Sequence, residues 1–398
     1  MWVTPHARRE GILRYVIAGF SVSLSSIALR MFCRTILLLS LLFAARTTGA
    51  PALPPPLWKA RHMTADPLFF VQAEGAAAAS ALLYAVPDAP PLIRSATHEV
   101  TYESGRDYTW KPGSAEVTLT AGSRIPFKTT AQLHPAPNSP NSYNGCRDGK
   151  SWMLYGDGRY FHDLQCSAAY DCAKAEWRAT IPTAAPAEQL PHLRAKLKPG
   201  TAIKLVTLGD SISTGANSSG SAGAPPMQPG YHELTAQALE QKFGVKVTAR
   251  NLSVGGMDAA WGLQQAKAVN AESPDLLLLA FGMNDASGKR TAAAFTGLIS
   301  ETIAMVKAAH PKCDVIVISP MTANAEWIHA APEAYPAYAL ALQGIAGPGC
   351  AAADVTSIWT AVAARKNYLS LSGNGLNHPN DFGHRLYADV IMAVIGEP

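Results

Sequence analysis

Ile203-Lys-Leu-Val-Thr-Leu-Gly-Asp-Ser211 places a serine directly after a short apolar strand. The glycine in this stretch allows the sharp turn with which such a strand ends. Further along, Leu276-Leu-Leu-Leu-Ala-Phe281 is almost continuously apolar and suits a strand that is buried on both faces. Strand and helix patterns alternate from residue 203 to the end of the chain. The sequence therefore predicts an α/β domain in which helices wrap a parallel sheet.

Three polar motifs follow predicted strands of this sheet. The first contains Ser211, the second is Asn251-Leu-Ser-Val-Gly-Gly256, and the third is Phe281-Gly-Met-Asn-Asp285. Because parallel strands end at the same edge of a sheet, we expect these motifs to lie close together. Backbone N–H groups at paired glycines and the amide of Asn284 can stabilise an oxyanion. The alternative is that Asn284 and Asp285 only cap the segment that follows.

A fourth motif, Asn374-Gly-Leu-Asn-His-Pro-Asn-Asp-Phe-Gly-His384, precedes the predicted last helix. His378 comes directly before a proline on a loop, where its ring can face a crevice. We therefore predict that His378 is the general base for Ser211. His384 lies inside the helical segment and is the alternative base.

These four motifs, in this order, resemble the SGNH (GDSL) hydrolase family, and the resemblance covers the chain from about residue 203 to its end. It implies an α/β hydrolase domain of three layers with a flavodoxin-like parallel sheet. It also implies acyl transfer through a covalent ester on Ser211, with His378 as base and with no cofactor or metal. It also implies that the oxyanion is held by the N–H groups of Ser211 and Gly256 and by the side chain of Asn284. Gly255 is the alternative to Gly256.

One position departs from the family pattern. The family usually places an aspartate three residues before the histidine, and this chain has Gly375 there. We therefore expect a Ser–His dyad whose ring is held by Asn374, by a backbone carbonyl or by Asp381. Asp381 has the alternative role of capping the last helix.

Residues 62–182 have a different texture. Short alternating segments, frequent Pro and Gly, and the absence of a long helical period predict a small antiparallel sandwich. A Pro- and Ala-rich linker is expected over 183–202, followed by the hydrolase domain over 203–398. The arrangement resembles two-domain carbohydrate esterases with an amino-terminal jelly-roll. Aromatic side chains of this region are candidates for stacking on sugar rings, although most would be core residues: Trp110, Trp152, Tyr155, Tyr160, Phe161 and Trp177.

The first 50 residues predict an export signal. Met31-Phe-Cys-Arg34 is a short basic start, an apolar run of about 11 residues follows, and Thr48-Gly49-Ala50 offers a cleavage site. Residues 1–30 hold a second apolar stretch, which is explained by translation from Met31 or by a longer signal or anchor. A Pro-rich segment over 51–61 comes next. We expect a secreted or periplasmic protein with no stable membrane insertion once the signal is cleaved.

Composition narrows the choice of partners. The net charge of +4 is modest for 398 residues, and no basic run is interleaved with aromatics, so no nucleic-acid partner is expected. Cys33 lies in the predicted signal, which leaves an odd number of cysteines and at most two disulfides. The remaining cysteines are Cys146, Cys166, Cys172, Cys313 and Cys350.

Three functions are consistent with these observations. The first is an esterase that removes O-acetyl groups from carbohydrates, for which the small polar loop 218–223 after the serine favours a compact acyl group. The second is a lipid-directed esterase, lysophospholipase or thioesterase, because the same catalytic set serves all of these. The third is a catalytically inactive carbohydrate-binding protein, which only the missing aspartate supports.

Overall fold

Sixteen strands and twelve helices make up the part of the chain that the computed structural model describes, which is residues 54–173, 177 and 180–397. The strands are β1 (His62–Leu68), β2 (Phe70–Gln72), β3 (Ser80–Leu82), β4 (Leu92–Ser95), β5 (Thr101–Tyr102), β6 (Tyr108–Trp110), β7 (Glu116–Leu119), β8 (Phe127–Thr129), β9 (Ser142–Tyr143), β10 (Met153–Leu154), β11 (Cys166–Asp171), β12 (Ala202–Gly209), β13 (Lys246–Asn251), β14 (Leu276–Ala280), β15 (Asp314–Ile318) and β16 (Cys350–Ala353). The helices are α1 (Thr130–Leu133), α2 (Tyr160–Leu164), α3 (Pro191–Lys196), α4 (Tyr231–Phe243), α5 (Ala259–Gln264), α6 (Ala266–Ala271), α7 (Met283–Ser287), α8 (Ala292–Ala309), α9 (Ala334–Gly344), α10 (Val355–Ala363), α11 (Tyr368–Leu371) and α12 (Asp381–Ile395).

The carboxy-terminal region is built on a parallel sheet with the strand order β13-β12-β14-β15-β16. This is the flavodoxin-like order. The second strand, β13, lies on one side of the first strand, β12, and the third strand, β14, lies on its other side, so the direction in which strands are added reverses at β12. Gly209 at the end of β12 pairs with Ala280 at the end of β14, so the two strands end level with each other. The motifs that follow them therefore emerge side by side, and the predicted α/β fold is confirmed.

Burial explains the pattern of the strands. Every residue of β14 and of β15 is buried, as expected for central strands that are covered by helices on both faces. β13 lies at the edge of the sheet and is mostly exposed. The helix predicted over 258–269 is divided at Gln265 into α5 and α6.

The helices form two packed groups. α4 packs against α12, whereas α5, α6 and α9 all pack against α8. α8 is long and apolar enough to cross a membrane by composition alone. Its buried residues Phe295, Ile299, Thr302 and Val306 recur at helical spacing and form one face of the helix.

The amino-terminal region is all-β apart from α1 and α2. One sheet has the order β1-β11-β4-β5 and is antiparallel throughout, and a second has the order β6-β7-β3-β2-β8. In the second sheet β2 and β8 pair in parallel, while the other neighbours pair in antiparallel fashion. β9 and β10 form a separate two-stranded sheet. The predicted antiparallel β region ahead of the hydrolase fold is thereby confirmed.

A buried ion pair joins the β region to the α/β region. Lys366 Nζ lies 2.5 Å from Asp66 Oδ1, and both side chains are fully buried. The other oxygen of Asp66 accepts hydrogen bonds from the Tyr84 N–H at 2.6 Å and the Tyr170 hydroxyl at 2.7 Å. Lys366 also donates to the Leu82 carbonyl at 2.8 Å. The charges are thus paired and solvated by protein groups, as a buried pair requires.

Gln165 forms a second connection between the regions. Its amide donates to the carbonyls of Leu369 at 2.6 Å and Ser372 at 2.8 Å. Its oxygen accepts from Asn380 Nδ2 at 3.0 Å. One buried side chain of the β region therefore fixes both ends of the loop that carries His378.

The segment 183–202, which we predicted as a linker, packs onto the sheet. It contains a 3₁₀ turn over Ala187–Gln189 and helix α3, and its Leu190 and Leu193 are fully buried. The Leu193 N–H donates to Asp314 Oδ2 at 2.7 Å, which ties α3 to the start of β15. The two leucines are three residues apart, which is the spacing of one helix face. The high Pro and Ala content of the segment obscured this signal. The domain boundaries themselves stay predictions.

The cysteines differ from the expectation of disulfides. Cys146, Cys166, Cys172, Cys313 and Cys350 all carry free thiols and all are buried. Burial raises the pKa of the Cys313 thiol to about 12 and that of Cys350 to about 11, so both are protonated at neutral pH. Cys33 and the predicted export signal lie outside the described residues.

Candidate active site

Ser211 and His378 lie within hydrogen-bond distance of each other. His378 Nε2 is 2.9 Å from Ser211 Oγ, although the two residues are 167 positions apart in the chain. Ser211 follows β12 at the point where the sheet changes direction, and His378 lies on the loop between α11 and α12. Both side chains are half-buried. This is the distance at which an imidazole can remove a proton from a serine hydroxyl.

The third member of the arrangement is Asn217. Its Oδ1 lies 2.7 Å from His378 Nδ1. Its Nδ2 donates to the carbonyls of Gly373 at 3.0 Å and Gly158 at 3.3 Å. Because carbonyls only accept, these two contacts fix which end of the amide is oxygen. His378 Nδ1 must then carry the proton, which leaves Nε2 free to accept the proton of Ser211.

Burial sets the charge of His378. It lowers the pKa of the imidazole to about 4, while the Asp157 carboxylate acts in the opposite direction. At neutral pH the ring is therefore neutral and able to act as a base.

Asn374 and Asp381, our two candidates for orienting the ring, have other partners. Asn374 Oδ1 accepts from the backbone N–H groups of Leu376, Asn377 and His378 at 2.9, 3.0 and 3.2 Å. It therefore shapes the loop that delivers His378 and does not hold its ring. Such an asparagine turn gave no sequence signal that separates it from a ring contact.

Asp381 stabilises the loop that follows the serine. Its Oδ1 accepts from the Ser219 N–H at 2.6 Å, and its carbonyl accepts from Gln228 Nε2 at 2.7 Å. The residue that caps α12 is the preceding Asn380, whose side chain accepts from Gly383 N–H. Burial raises the pKa of Asp381.

The glycine at the family's aspartate position has a steric cause. Gly375 has φ +88°, and a Cβ atom there would lie 2.5 Å from the Leu154 carbonyl oxygen and 2.7 Å from the Phe161 ring. Both obstacles belong to the β region, and one of them is backbone that cannot turn aside. An aspartate at 375 is therefore excluded by the way in which the β region packs on this loop.

His384, the alternative base, is fully buried in α12. Its Nε2 lies 3.0 Å from the Ala216 carbonyl, and its Nδ1 accepts from the Tyr231 N–H at 3.4 Å. Both ring nitrogens are thus engaged by backbone groups. His384 supports the loop next to Asn217 and makes no hydrogen bond to Ser211.

One of the two glycines considered for the oxyanion site lies beside the serine. A Cβ atom built on Gly255, the alternative to Gly256, would lie 3.7 Å from Ser211 Cβ, which places Gly255 next to the Ser211 side chain. Gly256 has φ +78°, a conformation that glycine adopts without strain. Asn284 Nδ2 donates to the Met257 carbonyl at 2.8 Å, and this contact turns the amide nitrogen towards the glycines. The second amide hydrogen of Asn284 is left for another acceptor.

Two buried carboxylates stabilise the turns that follow β12 and β14. Asp285 accepts from the Ala259 N–H at 3.2 Å and lies 2.7 Å from Arg290 Nε, which links the second and third motifs. Asp210 accepts from the Ile212 N–H at 3.0 Å, and burial raises its pKa to about 7. These contacts hold the turns on which Ser211 and Asn284 stand.

Among the described residues, no group of three His, Cys, Asp or Glu side chains is arranged to hold a metal ion.

The fold and this site define a hydrolase that acts on esters. Residues 207–386 match the model of the GDSL-like lipase/acylhydrolase family. No curated protein matches the chain.

Several solved structures are similar to the chain. A lipase from a goat rumen metagenome is 12% identical with a TM-score of 0.40, and the match covers 48% of this chain and 95% of that one. A two-domain esterase active on acetylated mannans is 25% identical with a TM-score of 0.42, and the match covers 53% of this chain and 54% of that one. An acetylxylan esterase from Geobacillus stearothermophilus is 17% identical with a TM-score of 0.40, and the match covers 51% of this chain and 97% of that one.

Proposed function

We propose that this protein is a serine esterase in which Ser211 is the nucleophile, His378 the base and Asn217 the residue that orients the ring. The observation that carries the proposal is the continuous line of hydrogen bonds from Ser211 Oγ to His378 Nε2, at 2.9 Å, and from His378 Nδ1 to Asn217 Oδ1, at 2.7 Å. A nucleophile, a base and a group that orients the base form the general pattern of covalent acyl transfer.

In the first half of the reaction, Ser211 Oγ attacks the ester carbonyl while His378 Nε2 takes the hydroxyl proton. The carbonyl oxygen becomes an anion that the N–H groups of Ser211 and Gly256 and the amide of Asn284 stabilise. The imidazolium then gives its proton to the leaving alcohol as the tetrahedral intermediate collapses. The products are the free alcohol and an acyl ester on Ser211.

In the second half, water takes the place of the alcohol. His378 removes a proton from the attacking water, the same donors hold the second oxyanion, and the imidazolium returns its proton to Ser211 Oγ. The carboxylic acid leaves and the free enzyme is restored. Asn217 accepts from Nδ1 throughout, so it keeps the ring in the tautomer that both halves need.

We propose acylated carbohydrates as the substrates, with acetyl as the acyl group. Tyr143 and Tyr155 of the β region form a half-buried pair with ring centroids 5.6 Å apart. The hydroxyl of Tyr155 contacts Asp157, a residue that acts electrostatically on His378. Half-buried aromatic rings of this kind are suited to contact with a sugar face.

A lipid-directed esterase is the second candidate, and it would need an apolar channel that starts at the serine. An apolar cavity does exist between the β region and α12, with Leu57, Met63 and Leu386 in its lining. Neither Ser211 nor His378 lines it. This cavity therefore gives the lipid alternative no support.

The inactive carbohydrate-binding alternative rested on the missing aspartate. Asn217 now supplies the ring contact that this aspartate would make, and the proposal of an active enzyme is correspondingly stronger.

We propose in addition that residues 1–50 direct export and are removed. Amino-terminal sequencing of the exported protein tests this, and a mature chain that still begins at residue 1 or at Met31 would contradict it.

The decisive experiment labels the folded protein with a fluorophosphonate probe. We expect one adduct per chain in the wild type and none in Ser211→Ala, because the probe requires an activated serine. His378→Ala should be labelled far more slowly, while a matched His192→Ala variant, altered at a half-exposed histidine in α3, should be labelled like the wild type.

A hydrolysis panel then tests the substrate class. It compares acetylated xylan, acetylated monosaccharides and p-nitrophenyl esters from acetyl to palmitoyl, on wild type and Ser211→Ala. Faster turnover of palmitoyl than of acetyl esters would reject the acetyl-esterase proposal. Absence of any adduct in folded wild-type protein would reject the serine esterase altogether.

A further inference from the structure

The imidazolium that forms on His378 during the reaction has no carboxylate as its direct partner. Asn217 is neutral, so it orients the ring but does not offset a positive charge. The family's aspartate position is closed by the Leu154 carbonyl and the Phe161 ring, as described above. A group that stabilises the positive charge of His378 must therefore lie at a position other than residue 375.

The β region brings a carboxylate to the site on the loop 155–158. At one end of this loop the Gly156 N–H donates to the Asn374 carbonyl at 3.3 Å, and at the other the Gly158 carbonyl accepts from Asn217 Nδ2 at 3.3 Å. Asp157 is the residue between them. Its neighbours on either side therefore contact the loop that carries His378 and the side chain that holds the ring.

The position of the Asp157 carboxylate is fixed by Tyr155. The Tyr155 hydroxyl donates to Asp157 Oδ2, and the Tyr155 ring packs against Tyr143. The backbone is held as well, because the Tyr155 N–H donates to the Asn141 carbonyl at 3.0 Å. The carboxylate is exposed but tethered, on a loop whose two flanking glycines contact the Asn374 carbonyl and Asn217.

We propose that Asp157 is an electrostatic positioning residue, which stabilises the imidazolium of His378 from the β region in place of the missing aspartate. This inference rests on the proposed serine esterase function. It makes the catalytic centre a product of both regions, since the nucleophile and base come from one and the compensating charge from the other.

Among the described residues, two ionisable groups interact electrostatically with His378. Asp157 raises the pKa of the imidazole against the effect of burial. The second group is His384 on α12, which lies close enough for His378 to lower its pKa. His384 is itself held at a pKa of about 4 by burial and is neutral at pH 7, so Asp157 is the charge that acts on His378 in the working range.

The expected effect is small because Asp157 is exposed to solvent. Exposed charge pairs change an equilibrium by about two- to five-fold. We therefore expect Asp157→Asn to lower kcat by about two- to five-fold at low ionic strength. We expect the acid limb of the wild-type kcat/KM profile near pH 4, where His378 becomes protonated, and the same factor should move it to lower pH by roughly 0.3 to 0.7 units in Asp157→Asn.

The experiment measures kcat and kcat/KM against pH and NaCl concentration for wild type, Asp157→Asn and Tyr155→Phe. Salt should reduce the wild-type kcat towards that of Asp157→Asn and leave the variant almost unchanged, since about 0.5 M NaCl screens an exposed charge. Tyr155→Phe releases the carboxylate and should fall between the two. The matched control is Glu116→Gln, which removes an exposed carboxylate from β7 in the same region and should behave like the wild type.

A readout that needs no substrate separates this inference from the proposed function. NMR titration of His378 in a Ser211→Ala background should show a lower ring pKa when Asp157→Asn is added. If the ring pKa moves in this way but the wild-type protein hydrolyses no ester, the proposed function fails and the electrostatic role of Asp157 stands. If neither the ring pKa nor the salt dependence changes in Asp157→Asn, the inference is overturned.

Discussion

The α/β region and the β region contribute to the same site in different ways, the first through side chains and the second mainly through backbone groups. The α/β region supplies side chains at the ends of parallel strands, among them Ser211 and Asn284, and a histidine on a loop. The β region acts mainly through its backbone, because the Gly158 carbonyl fixes the amide of Asn217 and the Leu154 carbonyl excludes a side chain at Gly375. Reacting groups are thus local to one region, whereas their orientation depends on both.

This contrast implies that substitutions in the β region should act on stability and on the position of the site residues. Substitutions at the strand ends should instead lower kcat directly. The variants below test that division, beginning with the largest expected effect.

Lys366→Met should cause the largest loss of stability, about 3 to 5 kcal/mol in the free energy of unfolding, because it leaves Asp66 buried without a counter-charge. Chemical denaturation in urea measures this change. If the variant unfolded at the same urea concentration as the wild type, the stability of the two regions would not depend on this ion pair, and the contrast drawn above would fail.

Lys242→Met is the matched control for that variant. Lys242 lies 2.7 Å from Glu397, but both side chains are well exposed. Such pairs contribute about 0 to 1 kcal/mol, so the control should change the free energy of unfolding very little. A similar loss in both lysine variants would show that the apolar stems, and not the buried charge, account for the effect.

Asn284→Ala should lower kcat by about 10²- to 10³-fold with a small change in stability, because it removes one donor to the oxyanion. Steady-state kinetics on p-nitrophenyl acetate measures it. Ser287→Ala, on the same helix, removes only a hydroxyl that donates to the Met283 carbonyl and should keep kcat near the wild-type value. Equal losses in the two variants would mean that the position of α7, not the amide, is what matters.

Asn217→Ala should lower kcat by about ten-fold, since the ring of His378 loses the acceptor that fixes its tautomer. Asn217→Asp is the sharper variant. Its carboxylate would face the Gly373 and Gly158 carbonyls that now accept from the amide, so we expect it to be less active than the wild type at neutral pH. An Asn217→Asp enzyme more active than the wild type would show that the β region does not control this side chain.

Much of the α/β region could be predicted from the sequence, because its signals are local. Strand β14 is a run of apolar residues bounded by turns, and Ser211 follows a strand in a motif that needs only three positions. The histidine motif is equally compact. Helices α9 and α10 were not predicted, although Tyr335, Tyr338, Ala339 and Leu342 of α9 are buried at helical spacing.

Asn217 could not be predicted as the ring partner, because its role depends on a contact 161 residues away. Its sequence signal is weak: an asparagine in a small polar loop, where it adopts φ +61°. The Asp66–Lys366 pair spans 300 residues and is equally invisible to any local pattern. The same holds for Gly375, whose meaning depends on which backbone lies against it.

The five buried thiols give this protein a built-in set of reporters. Because each is protected, a thiol reagent can label it only when the surrounding structure opens. Cys146, Cys166 and Cys172 lie in the β region, and Cys313 and Cys350 lie at the parallel sheet. The labelling rate at each thiol therefore measures whether the two regions open together or one after the other, without any engineered cysteine.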